Sequence, residues 1–250
     1  NPLRAPMGQT RAGRLTAEDI PADPNRLSLV AAGDYVLAND RVAIAIENAG
    51  PSDGYDPWGG RPIAAARVRD GRLFEPADFG EAIVGFGRFL IATERVTVLR
   101  DGTMGGSAVI RAEGPLRALP FIDELARSIL PGDFRDLRGA LDYELAPNSN
   151  TVTITAHIDS PRTTTARFPR VLAGFFQNYR MPAFVPGVGI TNDMASMTMP
   201  YIAFSAPQRT GWAWLPVMGD LEPFIQTTGF DGFFMPPFNP APCSTTVQPL

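Results

Sequence analysis

The sequence predicts an all-β protein, an antiparallel β-sandwich with one short connecting helix. Three observations carry that expectation. Short segments alternate apolar and polar residues at period two, as half-buried strands do; turns rich in glycine and proline, of which the chain has 24 and 25, separate them; and a helical period occurs once. No sequence repeat of solenoid or propeller length accompanies the strands.

Taken in order, residues 1–32 mix charge with turn formers (Pro2, Pro6, Pro21, Pro24) and are expected as an extended lead-in, with a short helix capped by Thr16 over residues 17–20. Residues 34–38 and 41–46 form the clearest hairpin, closed on Asn39-Asp40, two residues that tolerate the positive φ of a tight turn. A glycine- and aromatic-rich loop follows to Gly60. Residues 62–68 read as a strand ended by Asp70-Gly71, and residues 86–100 are rich in β-formers; Val96 and Val98 alternate there with Arg95 and Thr97. Residues 107–113 continue the sheet. Ile122, Leu125, Ala126, Ile129 and Leu130 sit near helical spacing, which predicts a connecting helix over 121–130 stopped by Pro131-Gly132. A second hairpin joins residues 140–145 to 151–158, with Leu141, Tyr143 and Leu145 on one face and Asp142 and Glu144 on the other. A third joins residues 201–205 to 211–215.

The organisation expected is a lead-in over 1–32, a β-sandwich domain over 33–215 and a C-terminal segment over 216–250. Charge falls unevenly along it. Of the 48 charged side chains, 43 lie in residues 1–180 and only Asp193, Arg209, Asp220, Glu222 and Asp231 beyond. A water-facing exterior is usually covered with charge, so the poor third is expected to pack on another protein chain, a further domain or a second copy of itself. All 22 basic residues are arginine, and the net charge is −4. That balance offers no electrostatic footprint for nucleic acid. No apolar run reaches the length of a membrane span. A lone Cys243 excludes an intrachain disulfide and a cysteine-based zinc site. The chain begins at Asn1-Pro2, as a processed product does, and an extracellular, periplasmic or cell-surface location is the expectation.

Candidate chemistry is sparse. One histidine, His157, removes templates that need two imidazoles, and it falls on the threonine-lined, polar face of its strand. No catalytic constellation, cofactor motif or metal-ligand set is read from the residues. The loop Asp53-Gly54-Tyr55-Asp56-Pro57-Trp58-Gly59-Gly60 offers two carboxylates with the oxygen chemistry of a calcium site or an acid/base pair, although Asx-type turns account for the same residues. Tyr55 and Trp58 supply flat rings with polar edges, suited to a sugar or a protein anchor. Asp53, Tyr55, Asp56, Trp58 and His157 are therefore the candidate ligand-binding residues, with a glycan as the ligand in a carbohydrate-binding or glycan-active alternative.

The run Gly33-Asp34-Tyr35-Val36-Leu37-Ala38-Asn39-Asp40-Arg41-Val42, followed by Asp53-Gly54-Tyr55-Asp56 and Gly59-Gly60, resembles the β-sandwich region that precedes the catalytic domain in large exported bacterial PHP-like metallohydrolases and related surface proteins. Residues 141–158 and 201–215 are similar to the supersandwich fold of galactose-mutarotase-like domains. The resemblance implies an exported, supersandwich-like accessory domain with a structural or binding role. It carries no active site over, because the histidine-rich motifs of those enzymes have no matching positions here.

Overall fold

The computed structural model describes residues 1–20, 22, 30–77, 79–120, 123–163, 171–177, 183–191, 195–196, 201–204, 210–215, 224–225 and 232–235. The fold is all-β and its sheets are antiparallel. A first sheet runs in spatial order through β1 (Thr10–Arg14), β2 (Tyr35–Asn39), β3 (Val42–Ile46), β4 (Pro62–Arg69) and β5 (Arg72–Phe74). The chain then enters a larger sheet: β6 (Phe79–Phe86), β7 (Phe89–Ile91), β8 (Arg95–Arg100), β9 (Ala108–Ala118), β10 (Arg138–Leu145), β11 (Val152–Asp159) and β12 (Val171–Gln177). Its order is β11, β10, β9, β7, β6, β12, with β8 paired to β9. Smaller pieces follow: β13 (Ala183–Val185), β14 (Gly189–Thr191), β15 (Ala195–Ser196), β16 (Ile202–Phe204), β17 (Trp212–Trp214), β18 (Phe224–Ile225) and β19 (Gly232–Met235).

The two main sheets pack face to face. Tyr35, Leu37 and Ile46 from the first meet Phe89, Ile110, Leu116, Leu141, Tyr143 and Leu145 from the second in one buried cluster. Alternation along β2 sends Val36 and Ala38 the other way, into a second cluster with Leu3, Leu15, Val30, Ile63 and Leu73. All five residues of β2 are therefore buried. Within residues 1–32, expected as an extended lead-in, β1 is a full strand paired to β2 from Thr10↔Asn39 to Arg14↔Tyr35, and Leu3 and Leu15 help cover the outer face of the first sheet. The helical turn capped by Thr16 is a 3₁₀ turn over Ala17–Asp19. The Thr16 amide and hydroxyl both donate to the Asp19 carboxylate, at 2.8 and 2.7 Å.

Two local expectations need correction. The first hairpin does not close on Asn39-Asp40 with positive φ. Its last pair is Ala38↔Ala43, and the Asn39 side-chain oxygen accepts from the amides of Arg41 and Val42, both at 2.9 Å, so a side chain makes the turn. The connecting helix is a single turn, α1 (Asp123–Ala126), with residues 121 and 122 outside the described residues; Leu125 and Ile129 stand 78% and 73% exposed. The hairpin of β10 and β11 has the expected register, from Arg138↔Asp159 to Leu145↔Val152. β16 pairs with β17 as the third hairpin required.

Within the charge-poor third, β19 adds to the edge of the large sheet beside β12 and β18 pairs with β15. Cys243 and the turn at 205–209 lie outside the described residues. No helix among the described residues is long and apolar enough to cross a membrane.

Candidate functional site

The loop between β3 and β4 is zipped before it reaches its tip. The Glu47 amide donates to the Arg61 carbonyl at 2.9 Å and the Gly60 amide to the Glu47 carbonyl at 3.1 Å. Gly50 and Ser52 continue the ladder by donating to Trp58 and Pro57, each at 3.2 Å. Only residues 53–56 form the tip, and a buried arginine holds it from beneath.

Arg61 is 2% exposed and is the largest fully buried side chain among the described residues. Its Nη1 donates to the Asp56 carbonyl at 2.7 Å and its Nη2 to the Ser52 hydroxyl at 2.8 Å. Its Nη1 and Nε also lie 2.8 Å from Glu47 and 2.5 Å from Glu81. Glu81, on β6 and 1% exposed, spans the tip from the other side, accepting the Tyr55 amide at 2.6 Å and the Asp56 amide at 3.2 Å. Gly54 is required at this point: a Cβ there would stand 2.0 Å from Arg61 Nη2 and 2.6 Å from Glu81 Oε2. The loop and the second sheet are joined again where the Tyr143 hydroxyl donates to the Gly60 carbonyl at 2.9 Å.

One guanidinium faces three carboxylates here, and the excess negative charge has little water to spread into. Asp56, 6% exposed, has its pKa pushed up to about 7; burial is the main cause, opposed by Arg61 and the Trp58 amide and reinforced by Glu81 and Glu47. Burial raises Glu47 as well, against the pull of Arg61. The Asp56 carboxylate also accepts the Trp58 amide at 3.0 Å, an Asx turn. The space beside this cluster, lined by Asp56, Gly60, Arg61, Ile83 and Thr93, is about 10 Å³. It has room for one water molecule. The cluster is a brace: Arg61, Glu81 and Asp56 hold the loop through the hydrogen bonds above, while Arg61 Nε and Glu47 Oε2 approach their opposite charges without hydrogen-bond geometry.

The five residues selected from the sequence are dispersed by this arrangement. Asp53 and Tyr55 face outward, Tyr55 at 42% exposed. Asp56 turns inward as described. Trp58 is half-buried against Ile83, Leu90 and Leu119. His157 is on the opposite side of the second sheet: Tyr143 reaches the loop from the inner face of β10, whereas Asp142, next along the strand, points outward and meets His157 Nε2 at 3.0 Å. Asp142 is gripped there by Arg111 in a fork of two 2.7 Å hydrogen bonds. Burial would raise its carboxyl, yet Arg111 and His157 hold it below the ordinary value. His157 thus belongs to an outer-face ladder of ion pairs that includes Arg95–Glu113 and Arg100–Glu144.

Among the described residues, no group of three or more histidine, cysteine, aspartate or glutamate side chains is arranged to hold a metal ion. Sequence reasoning missed Arg61, Glu81 and Glu47. Two of them left a signal: Arg61 stands between Gly60 and the apolar run Pro62-Ile63-Ala64, and Glu81 precedes Ala82-Ile83-Val84. A charge inside a strand that is otherwise apolar, or directly before one, points to a buried, paired group. No family model, curated protein or solved structure matches the chain.

Proposed function

We propose that the chain is a non-catalytic β-sandwich module of an exported bacterial protein, structural or ligand-binding in role, which contacts another protein chain or a further domain through its charge-poor C-terminal third. One observation carries the reading. Phe184 and Ile190 are direct cross-strand partners on β13 and β14 and stand 40% and 76% exposed. Val188 at the intervening turn and Leu215 after β17 add 52% and 57% exposure. Between residues 181 and 215 the only charges are Asp193 and Arg209. Adjacent apolar side chains held in water by a regular hairpin are what a partner surface covers. The supersandwich-like resemblance, in which such a domain sits ahead of others in a long exported chain, agrees with this reading.

Size-exclusion chromatography with light scattering tests it. The isolated chain is expected to associate as its concentration rises, or to bind the remainder of its parent protein, and the double variant Phe184→Ser, Ile190→Asp to remain a monodisperse monomer. Both positions are exposed, so the fold should persist by circular dichroism. A wild-type chain that stays a compact monomer without a partner, indistinguishable from the variant, would overturn the reading.

A further inference from the structure

The hairpin of β4 and β5 gathers positive charge that has little ion pairing among the described residues. Asp70 and Gly71 turn it with φ values of 52° and 68°, which brings Arg69 directly opposite Arg72. Like charges at opposed strand positions destabilise a sheet. A third arginine joins them from the N-terminus. Leu3, 1% exposed, anchors a 3₁₀ turn over Pro2–Arg4 in the core, and Arg4 then lies across the hairpin tip so closely that a Cβ on Gly71 would meet its Cγ at 2.6 Å. The one carboxylate among them, Asp70, has a side chain that is 93% exposed and approaches Arg69 only at 4.0 Å, a contact of little energetic weight.

These side chains line a cleft of about 610 Å³ together with Leu73 and Phe74. The volume is that of a small-molecule site, and an apolar wall with a few convergent charges is the usual composition of one. The Phe74 ring is held in place by Arg67 and Arg69, whose guanidinium carbons lie 5.0 and 4.9 Å from its centre. Arg67 is already paired with Glu75. Arg4, Arg69 and Arg72 have no such partner among the described residues, and all three line the cleft; a guanidinium is a planar fork suited to anionic groups. In a chain of net charge −4, three guanidinium groups against one carboxylate among the described lining residues is a local reversal of sign.

We infer that this cleft is a binding site for a small ligand carrying two or more anionic groups, phosphate or carboxylate, clamped by Arg4, Arg69 and Arg72 beside Phe74. Three arginines suit a small multivalent anion and fall short of the six to ten phosphate contacts typical of nucleic-acid binding. The inference is independent of the contact proposed for the C-terminal third.

Calorimetric titration and thermal unfolding with pyrophosphate and with citrate, at low ionic strength, test the site and separate the two anion chemistries. At least one is expected to bind with one-to-one stoichiometry and raise the melting temperature. The variants Arg69→Gln and Arg72→Gln should each weaken binding about tenfold or more, the loss expected for one charge-assisted fork. Arg95→Gln, an exposed residue elsewhere, should bind as wild type does. In the absence of ligand, Arg72→Gln should melt about 1–3 °C higher than wild type, because it removes the opposed like charges. No saturable binding of either anion, or equal weakening by Arg95→Gln, would overturn the assignment. A stabilised Arg72→Gln that still binds with wild-type affinity would do the same.

Discussion

Arg61 and Asp56 set the stability of the loop through opposite electrostatic roles. Among the described residues Arg61 is the sole cation against Glu47, Glu81 and Asp56, so Arg61→Ala leaves buried carboxylates uncompensated. A loss of roughly 3–5 kcal/mol is expected in urea unfolding, the scale for breaking one side of a buried pair. Asp56 works the other way. Its folded pKa of about 7 lies above its ordinary 3.8, so between these values the folded chain holds a proton that the unfolded chain releases. Stability from this group is intact below about pH 4, falls as pH rises, and levels off above about pH 7; the full shift corresponds to roughly 4 kcal/mol. Asp56→Asn keeps the acceptor for the Trp58 amide and cannot ionise. It should flatten that slope and raise stability at pH 8, as read by denaturant midpoints across pH 4–8.

The connector between β9 and β10 shows how an element can be held by something other than its periodicity. Apolar residues near helical spacing predict a ten-residue amphipathic helix. The chain makes one helical turn, Asp123–Ala126, leaves Leu125 and Ile129 in water, and is held instead by Arg88. That side chain, 3% exposed, donates to the Leu130 and Gly132 carbonyls at 2.8 and 2.6 Å and pairs with Asp123. Arg88→Ala should therefore cost roughly 2–4 kcal/mol and speed amide hydrogen exchange across residues 123–132 selectively. Leu125→Ser and Ile129→Ser, by contrast, should change stability by no more than about 0.5 kcal/mol. The β10–β11 hairpin is the opposite case. Leu141, Tyr143 and Leu145 could be assigned to the core from alternation alone, because one wet face and one dry face impose period two. Asn39 lies between these cases: its turn was legible and its mechanism was not, since an Asx side chain can close a hairpin as readily as a positive φ.

At the scale of the molecule, the centre of the first sheet, around β2, is buried on both faces. One face meets the second sheet and the other is covered by the N-terminal residues that carry Leu3 and Leu15. Deleting residues 1–15 should therefore uncover Val36, Ala38, Ile63 and Leu73 and remove the strand paired to β2. The truncated chain is expected to lose cooperative thermal unfolding and to bind a hydrophobic dye at low temperature. Retention of a sharp transition near the wild-type temperature would refute this placement. The all-β class, the pairings of β2 with β3, β10 with β11 and β16 with β17, and the charge-poor third are legible in the amino-acid order, because each is written in residues close together along the chain. Tertiary structure alone decided that Arg61 meets Glu81 beneath the loop, that His157 lies across the sheet from Asp56, and that Arg4 joins Arg69 and Arg72. Arg61 and Glu81 are 20 residues apart and Arg4 is 65 and 68 residues from Arg69 and Arg72; such placements follow from the register and burial of whole sheets, which local periodicity does not encode.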